Sequence, residues 1–392
     1  MTTDSSVSDN DLATLRRLLG APHEAGEGFV RWVEVELQDG SGGAATASAY
    51  DTAHHEEVLY HHDAASGLRT IIAVHSTALG PALGGTRWYP YADAEAALRD
   101  VLRLSMAMTA KSAVSGLDLG GGKAAVIGNP ADRTPEQLAA YARAVDRLEG
   151  RYITTTDVGT TTADLDALSE LTQHVVGASP ERGGSGDTSS LTAETVMLGM
   201  RAALRVAFGD ESLEGRRVVV VGVGKVGGRV ARACAAVGAS VGVADVWQDG
   251  AERLAAEIDA DVLDVERVYS EPCDVLSPNA LGGVLNQDSI PELRCRVVCG
   301  AANNQLLRDP EDAELLAERG IFYAPDYVVS AGGVINVAVE LDGYSEDRAR
   351  TIAARVYPTT LEILQLSEQL GITTAEAALR RVEDRIATAQ VA

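Results

Sequence analysis

Lysine is almost missing from this chain. Of its 33 basic residues only Lys111, Lys123 and Lys225 are lysines, and the rest are arginines. Arginine supplies nearly every positive charge, so a retained lysine marks a position that needs something arginine cannot give. That is a compact ammonium able to lose its proton near neutrality. Aromatic residues are scarce too, at 4% of 392 residues, so the core must be built from Ala, Val, Leu and Ile. A basic excess is absent: the formal net charge of −24 excludes nucleic-acid binding through a basic face. No apolar run reaches the roughly 18 residues of a membrane span. The opening MTTDSSVSDN lacks the basic and apolar regions of a signal peptide. The four cysteines, Cys234, Cys273, Cys295 and Cys299, form no C-x-x-C pair and have no histidine at zinc spacing. They read as buried reduced thiols in a cytoplasmic protein with no metal site. His54, His55, His61 and His62 lack accompanying metal ligands and read as a solvated surface.

What is present is an α/β alternation long enough for two domains. Leu12 to Leu19 reads as a short helix, Phe29 to Leu37 as a strand, and QDGSGGAATAS as a linker. EVLYHHDAASGLRTIIAVHS reads as two strands around a turn at Ser66 and Gly67. GPALGG reads as a tight turn, and the triplet Gly120, Gly121, Gly122 as a second place where the backbone bends. Asp93 caps a helix to Met108, Ala124 to Ile127 is a short strand, and Thr134 with Pro135 opens another helix. YITTTDVGTT is a strand running into a turn that carries Asp157, a residue also placed to cap the helix after it. ERGGSGDTSS is the best internal boundary, and the last part of the chain, from Ala331, is mostly helical.

Gly222, Gly224 and Gly227 follow the valine strand Val218 to Val221 and open a helix. In that context the spacing is a dinucleotide fingerprint. One glycine makes the turn, one admits the pyrophosphate and one lets helix and strand pack, with phosphates at the helix N-terminus. Asp245 follows the next strand with no arginine close behind it. A carboxylate there accepts from the ribose hydroxyls and repels a 2′-phosphate, so the cofactor is NAD rather than NADP.

The segments LGPALGGTR, MTAKSAVSGLDLGGGK, TTTDVGTT, GVGKVGG, AANNQL and APDYVVSAGGVINVA resemble, in order, the motifs of the amino acid dehydrogenases that act on leucine, valine, phenylalanine and glutamate. The resemblance runs over roughly residues 50 to 390 and is closest to the leucine and valine branch. It implies an α/β fold of two domains: an N-terminal substrate and oligomerisation domain and a Rossmann-type NAD domain, with the active site in the cleft between them. The boundaries that follow are 1–45 for an N-terminal extension, 46–180 for the substrate domain completed by helices at about 345–392, and 181–344 for the NAD domain. A homo-oligomer is implied.

The reaction implied is reversible, NAD-dependent oxidative deamination of an L-amino acid to a 2-oxo acid and ammonia. By resemblance Lys111 binds the substrate carboxylate, Lys123 is the low-pKa catalytic lysine, and Asp157 exchanges protons with the amine. Gly84 and Gly85 close over the substrate. Leu83, Met108, Thr155, Val334 and Val337 line its side-chain pocket, with Leu83 where glutamate dehydrogenases carry a lysine. Thr192, Asn303 and Val226 join the three glycines and Asp245 at the cofactor. Three departures stand out. Residues 1 to about 45 lack a counterpart, Ser330 replaces the usual Asn, and Thr155 with Thr156 replaces a small residue and an acidic neighbour. A phenylalanine-type enzyme and a non-catalytic NAD-binding paralogue are the alternatives.

Overall fold

The computed structural model describes residues 5–35 and 54–391. The region read as a linker, 38–48, lies outside them. Helix α1 (Ser5–Leu19) is followed by β1 (Glu24–Gly26) and β2 (Phe29–Val35), and then by β3 (His55–Asp63) and β4 (Leu68–Ser76). The turn between β3 and β4 is held by Asp63, whose carboxylate accepts from the N–H and hydroxyl of Ser66. Next come β5 (Ala82–Tyr89), α2 (Ala94–Val114), β6 (Gly120–Ile127), α3 (Pro135–Asp146), β7 (Tyr152–Thr156) and α4 (Thr162–Ser169). The seven strands form one sheet in the order β1-β2-β3-β4-β6-β5-β7, so residues 24–35 lengthen it rather than hang from it. Leu15 and Leu18 of α1 pack into the same core as Trp32 and Val58, and the Asp11 carboxylate accepts from the Tyr60 hydroxyl and Arg69.

Several local expectations change here. GPALGG does not form a turn beyond Gly80, because Ala82 to Tyr89 runs straight as β5. The glycine triplet is the start of β6, not a bend. Its glycines admit neighbours instead: a Cβ on Gly121 would lie 2.1 Å from the Thr109 nitrogen of α2, and one on Gly122 2.6 Å from the Tyr152 ring. The helix therefore lies directly on the strand. His55 and His61 are not solvated. Each is buried in β3, where layers pack on both faces of the sheet, and burial with the nearby Arg147 charge pushes the His61 imidazole down to about 4.

The second sheet begins after α5 (Ser189–Phe208) and contains β8 (Arg217–Val221), α6 (Lys225–Ala236), β9 (Ser240–Ala244), α7 (Gln248–Ile258), β10 (Asp261–Val262), β11 (Val275–Pro278), β12 (Val297–Val298), α8 (Glu311–Glu318) and β13 (Phe322–Tyr323). All its pairings are parallel, in the order β10-β9-β8-β11-β12-β13. This is the doubly wound dinucleotide-binding topology, whose strand order reverses between β8 and β11. The chain is thus α/β with two domains. Helices α9 (Asp326–Val329), α10 (Gly332–Ala338), α11 (Glu346–Ala353), α12 (Val356–Leu370) and α13 (Thr374–Val391) complete it. Val382 and Ile386 of α13 return to pack on Ala110 and Val114 of α2, and Arg385 donates to the carbonyls of Ala113 and Leu117. No helix among the described residues is long and apolar enough to cross a membrane.

Candidate active site

Strand register assembles the site. Gly85 of β5 pairs with Thr155 of β7. The flanking pairs Leu83–Gly121 and Thr86–Ala124 bring Lys123 of β6 level with Gly85. Side chains alternate along a strand, so Leu83, Gly85 and Arg87 share one face with Lys123, Thr155 and Asp157. Helix α2 covers that face and adds Met108 and Lys111. The result is one wall of a 360 Å³ cleft whose other wall comes from α5, α6, the segment after β12, and α10.

At its centre Lys123 donates to Asp157 across 2.6 Å. Lys123 is 7% exposed. The same carboxylate oxygen accepts from Arg87 Nε at 3.2 Å. Burial pushes the Asp157 carboxyl up, but the charges of Lys123 and Arg87 outweigh it and hold it below the usual carboxylate range. Asp157 does not cap α4, since Thr161 does so by accepting from the Asp164 N–H. Gly85 has no room for a side chain, because a Cβ there would lie 2.8 Å from the Asp157 Cβ and 2.4 Å from the Thr156 carbonyl oxygen.

Lys111 lies across the cleft opening. Its ammonium donates to Asn303 Oδ1 at 3.0 Å and to Ser330 Oγ at 3.1 Å. Burial lowers its pKa, against the opposing charge of Asp326, and Lys123 lowers it further. Leu83, Val334 and Val337 share one apolar cluster with Met108, and these four line the cleft together with Thr155, Thr192, Val226 and Asn303. Gly84 faces away, packed against the Gly122 carbonyl. The hydroxyl oxygen of Thr155 is sealed from solvent and has no hydrogen-bond partner among the described residues.

Gly222, Gly224, Gly227 and Asp245 lie outside this cleft, along the β8–α6 turn. Gly222 has φ +92°, and a Cβ on Gly227 would lie 1.9 Å from the Gly222 carbonyl oxygen, whereas Gly224 faces open space. The Asp245 carboxylate accepts from the N–H groups of Val223 and Trp247, at 2.7 and 2.8 Å, which ties the turn to the end of β9.

Sequence reading missed two charged groups. Arg87 bonds Asp100 as well as Asp157, at 2.8 Å to the former, and Asp100 also accepts from the Tyr91 hydroxyl at 2.6 Å. The signal for Arg87 was its place two residues after Gly85, on the same face. Asp326 is buried, accepts from the Gln305 N–H at 2.8 Å, and has its carboxyl raised by burial, against the pull of that N–H and of Lys111. An acidic residue at the head of the apolar run YVVSAGGVINVA was its signal.

Arg87 acts through Asp157. Arg87→Met should lower kcat/KM by about one to two powers of ten, the size expected for one lost charge-assisted hydrogen bond. With one cation gone the Asp157 pKa rises, so the carboxylate protonates at higher pH and the acid limb of the rate profile moves up. A loss of activity with an unmoved acid limb refutes the link.

Comparison with known proteins places this geometry. Residues 52–174 match the Glu/Leu/Phe/Val dehydrogenase dimerisation domain, and residues 249–353 match the Glutamate/Leucine/Phenylalanine/Valine dehydrogenase model. The chain is 47% identical to a valine dehydrogenase of Streptomyces virginiae, over 87% of this chain and 96% of that one. It is 45% identical to a leucine dehydrogenase of Geobacillus stearothermophilus, over 86% and 92%. The solved L-tryptophan dehydrogenase of Nostoc punctiforme superposes with a TM-score of 0.78 at 40% identity, over 86% and 97%. With its motifs in order and its two domains facing one cleft, the chain belongs to the Glu/Leu/Phe/Val dehydrogenase family of amino acid dehydrogenases.

Proposed function

We propose that this protein catalyses the reversible oxidative deamination of a branched-chain L-amino acid (valine, leucine or isoleucine) to its 2-oxo acid and ammonia, with NAD as cofactor. The observation that carries this reading is the Lys123–Asp157 pair, held in a cleft that also carries the apolar group Leu83, Met108, Val334 and Val337. The identities to valine and leucine dehydrogenases support the substrate class. Lys111 holds the substrate carboxylate. Lys123 donates to the reacting oxygen and activates water, and Asp157, ionised and next to it, exchanges protons with the amine. The apolar side chain rests against Leu83, Met108, Thr155, Val334 and Val337.

The family uses a nicotinamide cofactor, and the β8–α6 turn fits one. Gly224 is open to a pyrophosphate, and Asp245 stands beside it at the end of β9. A bound nicotinamide would supply the hydride acceptor for the substrate α-carbon, and Thr192, Val226 and Asn303 would hold that end of it. In this reading 46–180 with the helices from about 345 serve the substrate, 181–344 serve NAD, and the match to a dimerisation domain over 52–174 supports a homo-oligomer.

Initial rates of NADH formation with valine, leucine, isoleucine, phenylalanine, tryptophan and glutamate test the assignment. A branched-chain lead is the expected result. The likeness to a tryptophan dehydrogenase favours a second reading, an aromatic substrate, which a lead by phenylalanine or tryptophan would establish instead. NAD should be preferred strongly over NADP, and Asp245→Ser should narrow the gap, because it removes the charge that repels a 2′-phosphate. Comparable kcat/KM with both cofactors in the unmodified enzyme would overturn the cofactor assignment.

A further inference from the structure

We propose that Cys273 and Cys295 are a modification site, an in-register thiol pair that closes to an intramolecular disulfide on exposure to hydrogen peroxide. The register carries the inference. Val275 pairs with Val297 and Leu276 with Val298 in the parallel strands β11 and β12. Upstream, Pro272 bridges Arg294, and the Cys273 N–H donates to the Arg294 carbonyl at 3.2 Å. The same offset sets Cys273 directly beside Cys295. Neighbouring strands lie about 4.8 Å apart, within the Cα separation of roughly 4.4–6.8 Å that a disulfide spans. Residues level with each other on parallel strands project the same way, so the two thiols lie side by side on one face.

Both thiols are partly buried, and Pro272, Arg294 and Arg296 around them are exposed, so a small peroxide reaches the pair. Cys234 and Cys299 differ: each is fully buried, and burial pushes the Cys234 thiol up to about 12. Within the pair the attacking group is Cys295. The Cys273 thiol beside it lowers its pKa, and the Arg319 guanidinium adds to this against the effect of burial.

The Cys295 thiolate attacks one peroxide oxygen. An S–O bond forms, the O–O bond breaks, and hydroxide leaves to become water. The Cys273 sulfur then attacks the Cys295 sulfur; the S–S bond forms, the S–O bond breaks, and the departing hydroxide takes the Cys273 proton. Two thiols and one peroxide give one disulfide and two waters, and a dithiol reverses the change. The link joins β11 and β12 at the ends remote from the cleft, so it stiffens the sheet without touching the reacting groups.

The test uses the whole protein, treated with hydrogen peroxide and then assayed denatured for thiols. Two of the four cysteines should be lost, a digest should show residues 273 and 295 joined, and dithiothreitol should restore both. Closing a loop of about twenty residues should raise Tm by about 4 °C, with kcat unchanged. Cys273→Ser should accumulate a sulfenic acid on Cys295 that dimedone traps, and Cys295→Ser should not. Four thiols surviving treatment, a link to another cysteine, or an unchanged Tm would overturn the proposal. If either variant fails to fold, the unmodified protein still decides it.

Discussion

Lys123→Arg should fold, bind NADH and lose turnover by a factor on the order of 10²–10⁴, the range for loss of general acid–base help. Arginine keeps the positive charge and its pairing with Asp157. It cannot release a proton at working pH, so the proton path between Lys123 and Asp157, 2.6 Å apart, is closed. Space adds to the effect, because Lys123 is buried beside Gly85, where not even a Cβ fits. Single-turnover rates report the chemical step, and NADH fluorescence and thermal unfolding report cofactor binding and folding. A variant with near-native kcat would refute the role given to Lys123. Lys111→Ala should behave differently and act mainly through substrate KM, since it removes a partner for the carboxylate.

Glutamate should be a substrate on the order of 10³-fold worse than valine or leucine. The part of the cleft proposed to receive the side chain is the apolar group Leu83, Met108, Val334 and Val337. A second carboxylate there would lose its water, and none of those four side chains offers it a cation, at a cost of several kcal/mol. A branched aliphatic chain buries methyl and methylene groups instead, each worth about 0.8 kcal/mol. Thr155 adds bulk, and its hydroxyl oxygen has no contact with the cleft solvent, so its contribution is volume rather than polarity. Thr155→Ala should therefore shift preference towards larger side chains. The measurement is kcat/KM for valine, leucine, phenylalanine and glutamate with both proteins. Efficient use of glutamate would sink the apolar-pocket reading, and an unshifted ranking in Thr155→Ala would remove Thr155 from it.

The parts of this protein that sequence made legible are those where local chemistry and tertiary structure agree. Asp93 and Thr134 cap their helices, accepting from the N–H groups of Ala96 and Gln137. The glycines of the β8–α6 turn stand at a strand-to-helix junction as their spacing requires. The failures share one cause. Glycine normally signals a turn, but Gly85, Gly121 and Gly122 are in strands, because a neighbouring backbone or ring occupies the space of a side chain. His55 and His61 were misread because polarity normally signals exposure, whereas β3 is buried on both faces. Arg87 and Asp326 escaped notice because their partners are distant in sequence. Arg87 meets Asp157 across β5 and β7, and Asp326 feels the Lys111 charge from another helix.

The pleat has a consequence for how this enzyme can change over evolutionary time. The groups at the cleft centre are picked out by parity along three strands, so a point substitution changes the chemistry at one position and leaves the frame that presents the others in place. The frame cannot be exchanged so freely. Loss of one residue between Pro81 and Gly85 would move every later position of β5 to the opposite side. Arg87 would then turn away from Asp157, and Thr86 would meet α2. Lineages descending from this site can therefore alter substrate by point substitution, whereas insertions and deletions are confined to segments outside β5, β6 and β7.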